Sequence, residues 1–373
     1  MQNKRRIGIV GSTGSIGCNA YKLLKTTLHD KFIVEFLVCN NNFEEILTQI
    51  NTLKPKAVCV GSEIYKSVKE NVSDVEVFDD ISKLLQAYKT DVTLYALSGT
   101  IGIEYVLEAI RNTKNLAIAN KEAIVSAWQF IEEESIKHGT QIIPVDSEHN
   151  SLYRLLEAFD STMIKSVAIT ASGGPFFKKK YADLQNITPQ DAMKHPNWRM
   201  GIKNTIDSAT MANKVLELIE AMHLFGYTQE KIDVYINRQS ITHASVVLKS
   251  GGVVSFSSTP DMKSHIGHAI MYPEYTENSD ISPQNLVLKF NAIKPDEFPI
   301  FFLGREIAKK SSVYHTVFNI ANEVAVNKFV QGKIKYTEIL PFIQNACDKN
   351  KHTEPQNIAE CLQICADLRK ELE

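Results

Sequence analysis

The residues best suited to chemistry are Asp146 and Glu148, two carboxylates separated by one serine after an apolar segment at residues 142–145. If that segment is a buried strand, the alternation of side chains directs both carboxylates to the same side. Two close carboxylates repel each other and raise a pKa unless a cation lies between them, and Mg²⁺ and Mn²⁺ prefer oxygen ligands. The spacing indicates a divalent metal site, with a solvated turn as the alternative that the pattern leaves open.

A second polar cluster lies in a predicted helix at residues 207–217. Thr210, Asn213, Lys214 and Glu217 follow the i, i+3, i+4, i+7 spacing of one helical stripe. Asn213 and Lys214 would neutralise a phosphate, and Glu217, one turn further on, suits a metal. For this helix taken alone, a solvated face with a Lys–Glu pair is the simpler alternative.

A glycine-rich loop, GSTGSIG at residues 11–17, lies between the first predicted strand and a helix. Gly11, Gly14 and Gly17 allow a tight turn, close approach of the backbone to a pyrophosphate, and packing of helix against strand. This arrangement predicts a dinucleotide-binding loop. A glycine-serine turn without a ligand is the alternative.

The second strand of such a domain normally indicates which dinucleotide is bound. NAD-binding proteins place an acidic residue after it, whereas residues 39–42 are Cys-Asn-Asn-Asn and the first carboxylate is Glu44. The basic residue common in NADP-binding proteins is also missing, but asparagine amides and the hydroxyls of Ser12 and Thr13 can bind a phosphate. The sequence therefore favours NADP.

Residues 119–122, Ala-Asn-Lys-Glu, follow another predicted strand. Asn120 and Glu122 are candidates to contact nicotinamide or ribose, and Lys121 is a candidate to meet a substrate oxyanion. An ordinary helix start is the alternative.

Three further segments contain candidate ligands. Ser172 and the backbone amides around it end a strand with small residues and can hold a phosphate. The polar connection with His195 and Trp198 suits a lid over a ligand, or else a structural tryptophan anchor. His243 lies in a strand-like segment, where a buried histidine and a ligand-contacting one are both compatible with the pattern.

The elements that must position these residues form an α/β fold. Strand–helix alternation over the N-terminal region favours a doubly wound, Rossmann-like parallel sheet. A mixed α+β region follows, and the C-terminal region is helical. The predicted domains are 1–146, 147–272 with a lid loop at about 173–203, a linker at 273–298, and 299–373; the strands of the first domain are predicted at residues 6–10, 32–38, 57–60, 91–97, 116–118 and 141–144.

Composition excludes several classes of partner. Lysine and arginine number 41 against 43 acidic residues, a net charge of −2, and no basic block suggests nucleic acid. The six cysteines are scattered without a C-x-x-C pair, as expected of a reducing cytoplasm. We expect neither a signal peptide nor a membrane span, because no apolar stretch reaches about 18 residues.

These motifs together resemble the 1-deoxy-D-xylulose 5-phosphate reductoisomerase family. Eight blocks occur in the family's order: GSTGSIG (11–17), ANKE (119–122), PVDSEH (144–149), ASGGPF (171–176), HPNWRMG (195–201), DSATMANKVLE (207–217), PDM (260–262) and ANEVAV (321–326). The resemblance implies a homodimer whose subunits each have an NADPH-binding domain, a catalytic domain and a C-terminal helical domain.

The resemblance also implies roles for single residues. A divalent metal, Mn²⁺ or Mg²⁺ with Co²⁺ as a further candidate, would be held by Asp146, Glu148 and Glu217. Substrate contacts would come from Lys121, Ser147, Glu148, Ser172, His195, Ser208, Asn213, Lys214 and Glu217. NADPH would contact Thr13, Gly14, Ser15, Ile16, Asn42, Asn120, Glu122 and Gly201, beside the loop glycine Gly11. The reacting centre would be lined by Lys121, Glu148, His195, Trp198 and His243.

The implied reaction rearranges and reduces 1-deoxy-D-xylulose 5-phosphate to 2-C-methyl-D-erythritol 4-phosphate, a step of non-mevalonate isoprenoid synthesis. Five positions depart from the family pattern: Asn41 replaces a base, Asn237-Arg238 replaces His-Pro, and His265 and Tyr275 replace a proline and an arginine. None of them is a predicted metal or phosphate ligand, so the expected activity stands.

Two other classes of function compete with this one. A metal-free NAD(P) dehydrogenase, such as a semialdehyde dehydrogenase, explains residues 1–120 but leaves the three carboxylates and the polar helix unused. A nucleotide-sensing regulatory protein would bind NADPH without consuming it.

Overall fold

The computed structural model describes residues 4–194, 196–197, 201–275, 281–282, 284 and 286–373. The chain divides into two compact units. The first comprises Met1–Ala123, Trp128–Asn150 and Asp261–Asn278, and the second comprises Ile124–Ala127, Ser151–Pro260 and Ser279–Glu373. The division into three domains and a linker stays a proposal beside this partition.

Strands form two sheets. Their bounds are β1 Arg5–Val10, β2 Phe32–Cys39, β3 Ala57–Val60, β4 Glu76–Phe78, β5 Thr90–Tyr95, β6 Thr113–Ile118, β7 Gln141–Pro144, β8 Ile164–Ala171, β9 Ile232–Ile236, β10 Thr242–Leu248, β11 Val253–Ser257 and β12 Asn291–Ala292.

Helices alternate with the strands and dominate the C-terminal part. Their bounds are α1 Ser15–Lys25, α2 Phe43–Leu53, α3 Ser62–Asn71, α4 Ile81–Ala87, α5 Ile101–Arg111, α6 Lys121–His138, α7 Ser147–Ala158, α8 Pro189–Ala192, α9 Ile202–Thr210, α10 Ala212–Phe225, α11 Met262–Met271, α12 Pro299–Ile307, α13 Ser312–Val330, α14 Ile339–Asp348 and α15 Ile358–Leu372.

The first unit contains a seven-stranded sheet in the order β4-β3-β2-β1-β5-β6-β7, and every ladder in it is parallel. The predicted Rossmann-like sheet is therefore confirmed. The strand order reverses between β1 and β5. Sheets of this type bind ligands at such a reversal, next to the carboxyl ends of the strands. The glycine loop after β1, Lys121 after β6 and Asp146 after β7 all follow carboxyl ends of strands at this edge.

The core of the first unit is formed by buried apolar residues of its strands and helices. Ile9, Leu94 and Ile143 are examples, each 0% exposed. Helix α11, although it comes late in the chain, adds Ile266 and Ile270 to the same core. Burial on both faces explains the nearly continuous apolar strands, as expected for a parallel sheet.

The second unit contains a five-stranded sheet in the order β11-β10-β8-β9-β12. Only β8 and β9 pair in parallel there. A hairpin that turns at Gly251-Gly252 joins β10 to β11, and Gly251 has a φ of 91°. Strand β8 ends immediately before Ser172, and α9 passes into α10 through Met211, whose φ is 65°. The sheet and these helices thus support both predicted phosphate segments.

No helix within the described ranges is long and apolar enough to cross a membrane.

Two histidines lie inside the helical part of the second unit. The rings of His223 in α10 and His315 in α13 are 5.5 Å apart between centroids, and His315 is 3% exposed. Burial lowers the pKa of His223 from 6.5 to about 3, with a smaller contribution from His315. Burial also lowers the pKa of His315.

These buried neutral histidines should make the fold sensitive to acid. Between pH 6.5 and about 3 the unfolded chain binds a proton at His223 that the native chain does not bind, so the free energy of unfolding falls as the pH drops. We expect His223→Gln to remove about 2 kcal/mol of the loss between pH 6.5 and 5, measured by urea denaturation at several pH values. His29→Gln, at an exposed site, is the control; equal pH dependence in the two variants would refute this prediction.

Candidate active site

The glycine loop is tied to the neighbouring strand β2. The amides of Gly11 and Ser12 both donate to the carbonyl oxygen of Val38, at 3.0 and 2.8 Å. A Cβ on Gly17 would lie 2.3 Å from the carbonyl oxygen of Gly11, so only glycine permits this packing. Gly14 precedes α1 without a side-chain cap. The N-terminal amides of α1 and the helix dipole therefore suit an anion such as a pyrophosphate.

Residues at and after the end of β2 contact the glycine loop. The Thr13 hydroxyl donates to the Cys39 sulfur at 3.2 Å. Asn42 caps α2, because its side-chain oxygen accepts from the Glu45 amide at 3.3 Å. Ser15 and Ile16 lie in the first turn of α1. These predicted cofactor residues are thus brought together within the first unit.

Asn120 is used to hold the backbone around it. It is 1% exposed, and its amide nitrogen donates to the carbonyl oxygens of Leu97 and Gly99 at 2.6 and 2.9 Å. Its side-chain oxygen accepts from the Ala123 amide at 2.6 Å and caps α6. Asn120 therefore fixes the loop after β5 against the start of α6, next to the buried Glu122.

Lys121 and Asp146 form an ion pair at the carboxyl edge of the first sheet. The ammonium nitrogen and a carboxylate oxygen are 2.9 Å apart, and the side chains are 12% and 15% exposed. The other carboxylate oxygen of Asp146 accepts from the Glu148 amide at 3.3 Å and lies 3.2 Å from Nδ1 of His149. One aspartate therefore connects a lysine, a helix start and a histidine.

Strand alternation is the wrong reason for the proximity of Asp146 and Glu148. Strand β7 already ends at Pro144, and Glu148 lies in the first turn of α7. Because the Asp146 side chain caps the Glu148 amide, the two residues are brought together by a helix start. The Ser147 hydroxyl donates to the Glu148 carboxylate at 2.5 Å.

In the second unit, Ser172 and Ser208 lie at one junction. The Ser172 hydroxyl oxygen accepts from the Gly174 amide at 3.1 Å. A Cβ on Gly174, whose φ is 56°, would lie 2.7 Å from the carbonyl oxygen of Ser208, so the turn after β8 packs directly on the last turn of α9. Two predicted phosphate contacts are thus neighbours.

The single helix predicted to carry Thr210, Asn213, Lys214 and Glu217 is wrong, because Met211 has a φ of 65° and separates α9, which ends at Thr210, from α10. The part of the stripe that lies on α10 is not a solvated face. Lys214 is 4% and Glu217 2% exposed. The Glu217 carboxylate accepts from the Lys214 ammonium and from the Asn213 amide. The predicted i, i+3 pair of Lys214 and Glu217 is present. Because both side chains are buried, the alternative of a solvated helix face does not apply. Burying two charges is costly, which favours a functional reason for keeping them.

The remaining predicted residues fall in several places. His243 lies in β10 and is 2% exposed. Gly201 precedes α9, where its carbonyl oxygen accepts from the Thr205 amide at 3.0 Å. His195 and Trp198 lie outside the described residues. Their roles stay predictions.

Sequence reasoning missed the buried Asp207. It is 0% exposed and accepts from Lys203 at 2.7 Å and from the Asn322 amide at 2.8 Å. The bond to Asn322 joins α9, which contains Ser208, to α13. The signal that could have revealed this contact is Asn322 itself, an uncharged polar residue within the largely apolar segment at residues 317–326.

The fold and these residues define the class of the protein. A doubly wound parallel sheet has a glycine loop, a lysine and paired carboxylates at its carboxyl edge, while the second unit holds a buried lysine paired with a glutamate. This is an oxidoreductase of the Rossmann type with a second α+β unit.

Comparison with known proteins specifies the family. Family models described as 1-deoxy-D-xylulose 5-phosphate reductoisomerase, its C-terminal domain, and the DXP reductoisomerase C-terminal domain match residues 7–128, 142–225 and 257–371. The chain belongs to the 1-deoxy-D-xylulose 5-phosphate reductoisomerase family.

Relatives match over nearly the whole chain. The reductoisomerase of Treponema denticola is 36% identical over 96% of this chain and 93% of its own length. The solved structure of the Zymomonas mobilis reductoisomerase with NADPH superimposes with a TM-score of 0.91 and 32% identity, over 99% of this chain and 98% of that one. A structure of DOX-P reductoisomerase with NADPH, fosmidomycin and magnesium superimposes with a TM-score of 0.91 and 30% identity, over 99% of this chain and 97% of that one.

Proposed function

We propose that this chain converts 1-deoxy-D-xylulose 5-phosphate to 2-C-methyl-D-erythritol 4-phosphate with NADPH and a divalent metal ion. The observation that carries the proposal is the buried Lys214–Glu217 pair beside Asn213, which an ordinary dehydrogenase does not require. Similar proteins of known structure bind NADPH and magnesium. The proposed role also explains why the paired carboxylates accompany a dinucleotide loop.

The first unit fits NADPH. The close packing of Gly17 on Gly11 leaves room for backbone but not for a side chain, as a pyrophosphate cradle requires. NADPH supplies the hydride for the reduction. Among this chain's residues, Thr13, Ser15, Ile16, Asn42, Asn120, Glu122 and Gly201 would contact it, with Gly11 and Gly14 shaping the loop.

Asp146, Glu148 and Glu217 would hold the metal ion. Their donors are all oxygen atoms, the set that Mg²⁺ and Mn²⁺ prefer, with Co²⁺ as a further candidate. The ion supplies Lewis-acid polarisation of substrate oxygens. Lys121 balances the charge of Asp146, and the Ser147 hydroxyl orients the Glu148 carboxylate.

The second unit would bind the substrate's phosphate through Ser172, Ser208, Asn213 and Lys214. The ammonium of Lys214 offsets the phosphate charge, and hydroxyls and amides complete the hydrogen bonds. Because Lys214 is buried, its interaction with the phosphate would be stronger than it would be in water. Lys121, His195, Trp198 and His243 would border the reacting carbons.

The test follows NADPH absorbance in the presence of 1-deoxy-D-xylulose 5-phosphate. We expect consumption with added Mg²⁺ or Mn²⁺ and none after treatment with EDTA. Activity that survives chelation would favour the metal-free dehydrogenase, and NADPH binding without consumption would favour a sensor. The same assay with NADH measures whether the asparagines at residues 40–42 suffice to select the 2′-phosphate.

Glu217→Gln should lower kcat by more than about tenfold, or 1.4 kcal/mol of barrier, and should weaken Mn²⁺ binding measured by calorimetry. The reason is the loss of one anionic oxygen ligand. Glu306→Gln is the matched control, because Glu306 pairs with Lys309 at the same i, i+3 spacing but on the surface. A Glu217→Gln protein with a native circular dichroism spectrum, full kcat and full Mn²⁺ affinity would remove this residue from the metal site.

We also propose a homodimer, formed where a second copy covers β11. This strand is at the edge of its sheet, and Val253 there is 62% exposed. Unpaired edge strands invite pairing. Sedimentation velocity should show a dimer for the wild type and for Val330→Lys, which alters an exposed valine elsewhere, and a monomer for Val253→Lys. A monomeric wild type would refute the proposal.

A cytoplasmic location is proposed from the thiols. All six cysteines are free, and five of them are buried. Free thiols persist in reducing compartments, so a disulfide found in the protein isolated from cells would contradict this location.

A further inference from the structure

The turn between β9 and β10 is unusually well fixed. Asn237 is 0% exposed, and its side-chain oxygen accepts from the Ile241 amide at 3.1 Å. Ser240 occupies the left-handed region with a φ of 51°. From outside the turn, the Asn197 amide group donates to the Arg238 carbonyl oxygen at 2.7 Å and to the Ser240 hydroxyl at 2.8 Å. The backbone of Arg238 is thereby held from two sides.

The Arg238 side chain reaches the turn that follows β8. One of its terminal nitrogens, Nη1, donates to the carbonyl oxygens of Ser172, at 2.6 Å, and of Gly174. Its guanidinium lies 5.2 Å from the centre of the Phe177 ring, within range of a cation–π contact. One cation therefore bridges both ends of the Ser172–Gly173–Gly174 turn.

That turn needs an external support. Gly173 and Gly174 both have positive φ values, 73° and 56°, and consecutive glycines lose much conformational entropy when they are ordered. In a trans peptide the N–H points opposite to the C=O. Because the Ser172 carbonyl faces Arg238, the Gly173 amide points away from it. Arg238 thus determines the direction of a backbone donor.

We propose that Arg238 is a positioning residue for the substrate's phosphate. It holds the turn so that the Gly173 amide and the Ser172 hydroxyl bind the phosphate, beside Ser208. The proposal rests on the proposed function and deepens it. A proline, which the family pattern has at this position, has no side-chain donor, so this anchoring is a feature of this chain. Lysine has no planar guanidinium to lie against the Phe177 ring while it donates to the two carbonyl oxygens.

The test compares Arg238→Met, Arg238→Lys and Arg305→Met. Arg305 is the matched control, since it also lies in the second unit and also donates twice to one partner, at 3.0 Å each to the side chain and backbone of Gln229. For each protein the measurements are kcat, KM for 1-deoxy-D-xylulose 5-phosphate, KM for NADPH, and the competitive inhibition constant of inorganic phosphate.

We expect Arg238→Met to raise both KM for the sugar phosphate and the inhibition constant of phosphate about tenfold, equal to about 1.4 kcal/mol. Its kcat and its KM for NADPH should stay within about twofold. Arg238→Lys should fall between wild type and Arg238→Met, and it serves as the test if Arg238→Met does not fold. Arg305→Met should lower thermal stability without changing either constant for the phosphate site.

Two outcomes separate the failures. Suppose that the wild type is active but that the Arg238 variants match Arg305→Met in KM and in phosphate inhibition, or lose only kcat. This result would overturn the role of Arg238 and leave the proposed function standing. A wild type that does not consume NADPH with this substrate would overturn the proposed function, and the role of Arg238 with it.

Discussion

The interactions of Asp146 are the constraint on which the carboxyl edge of the first unit depends. Its carboxylate faces the Lys121 ammonium at 2.9 Å while it also caps the Glu148 amide and meets His149. These contacts join the starts of α6 and α7 to the end of β7. A neutral residue here would leave the nearly buried lysine without its counter-charge, which is costly in a low-dielectric site. Both the local structure and the proposed metal site therefore require a negatively charged side chain at Asp146.

The second unit shows the same compromise between stability and function. Two hydrophobic residues in place of Lys214 and Glu217 would avoid the desolvation of both charges. Apolar neighbours in α10, such as Val215 and Leu218, are 0% exposed, so the charged pair lies in a part of the helix that is buried. The Asn213 amide and the Lys214 ammonium satisfy the Glu217 carboxylate. A ligand that replaced Glu217 as the partner of Lys214 would bind a group that is already removed from water, so little further desolvation would be needed.

Some parts of this architecture could be predicted from residue order because their causes are local. The glycine loop, the alternation of strands and helices, and the β10–β11 hairpin follow from glycine conformations and apolar periodicity. Strand β4 was missed, because Glu76–Phe78 is three residues long with an exposed glutamate at its start and lies at the edge of the sheet, where it pairs with β3. The proximity of Asp146 and Glu148 was predicted for the wrong reason. The two residues do not lie on one strand; Asp146 instead caps the first turn of α7, which contains Glu148.

The sequence by itself determined which chemical groups are available and on which kinds of element they lie: carboxylates after β7, a lysine and a glutamate one turn apart on α10, and glycines before α1. Only the tertiary structure decided which of these groups are buried and what they contact. It turned the α10 stripe inward, returned α11 to the first core, and brought Arg238 to a turn 64 and 66 residues earlier in the chain. The physical reason is that backbone propensity acts over a few residues, whereas burial and hydrogen bonding depend on which distant segments pack together.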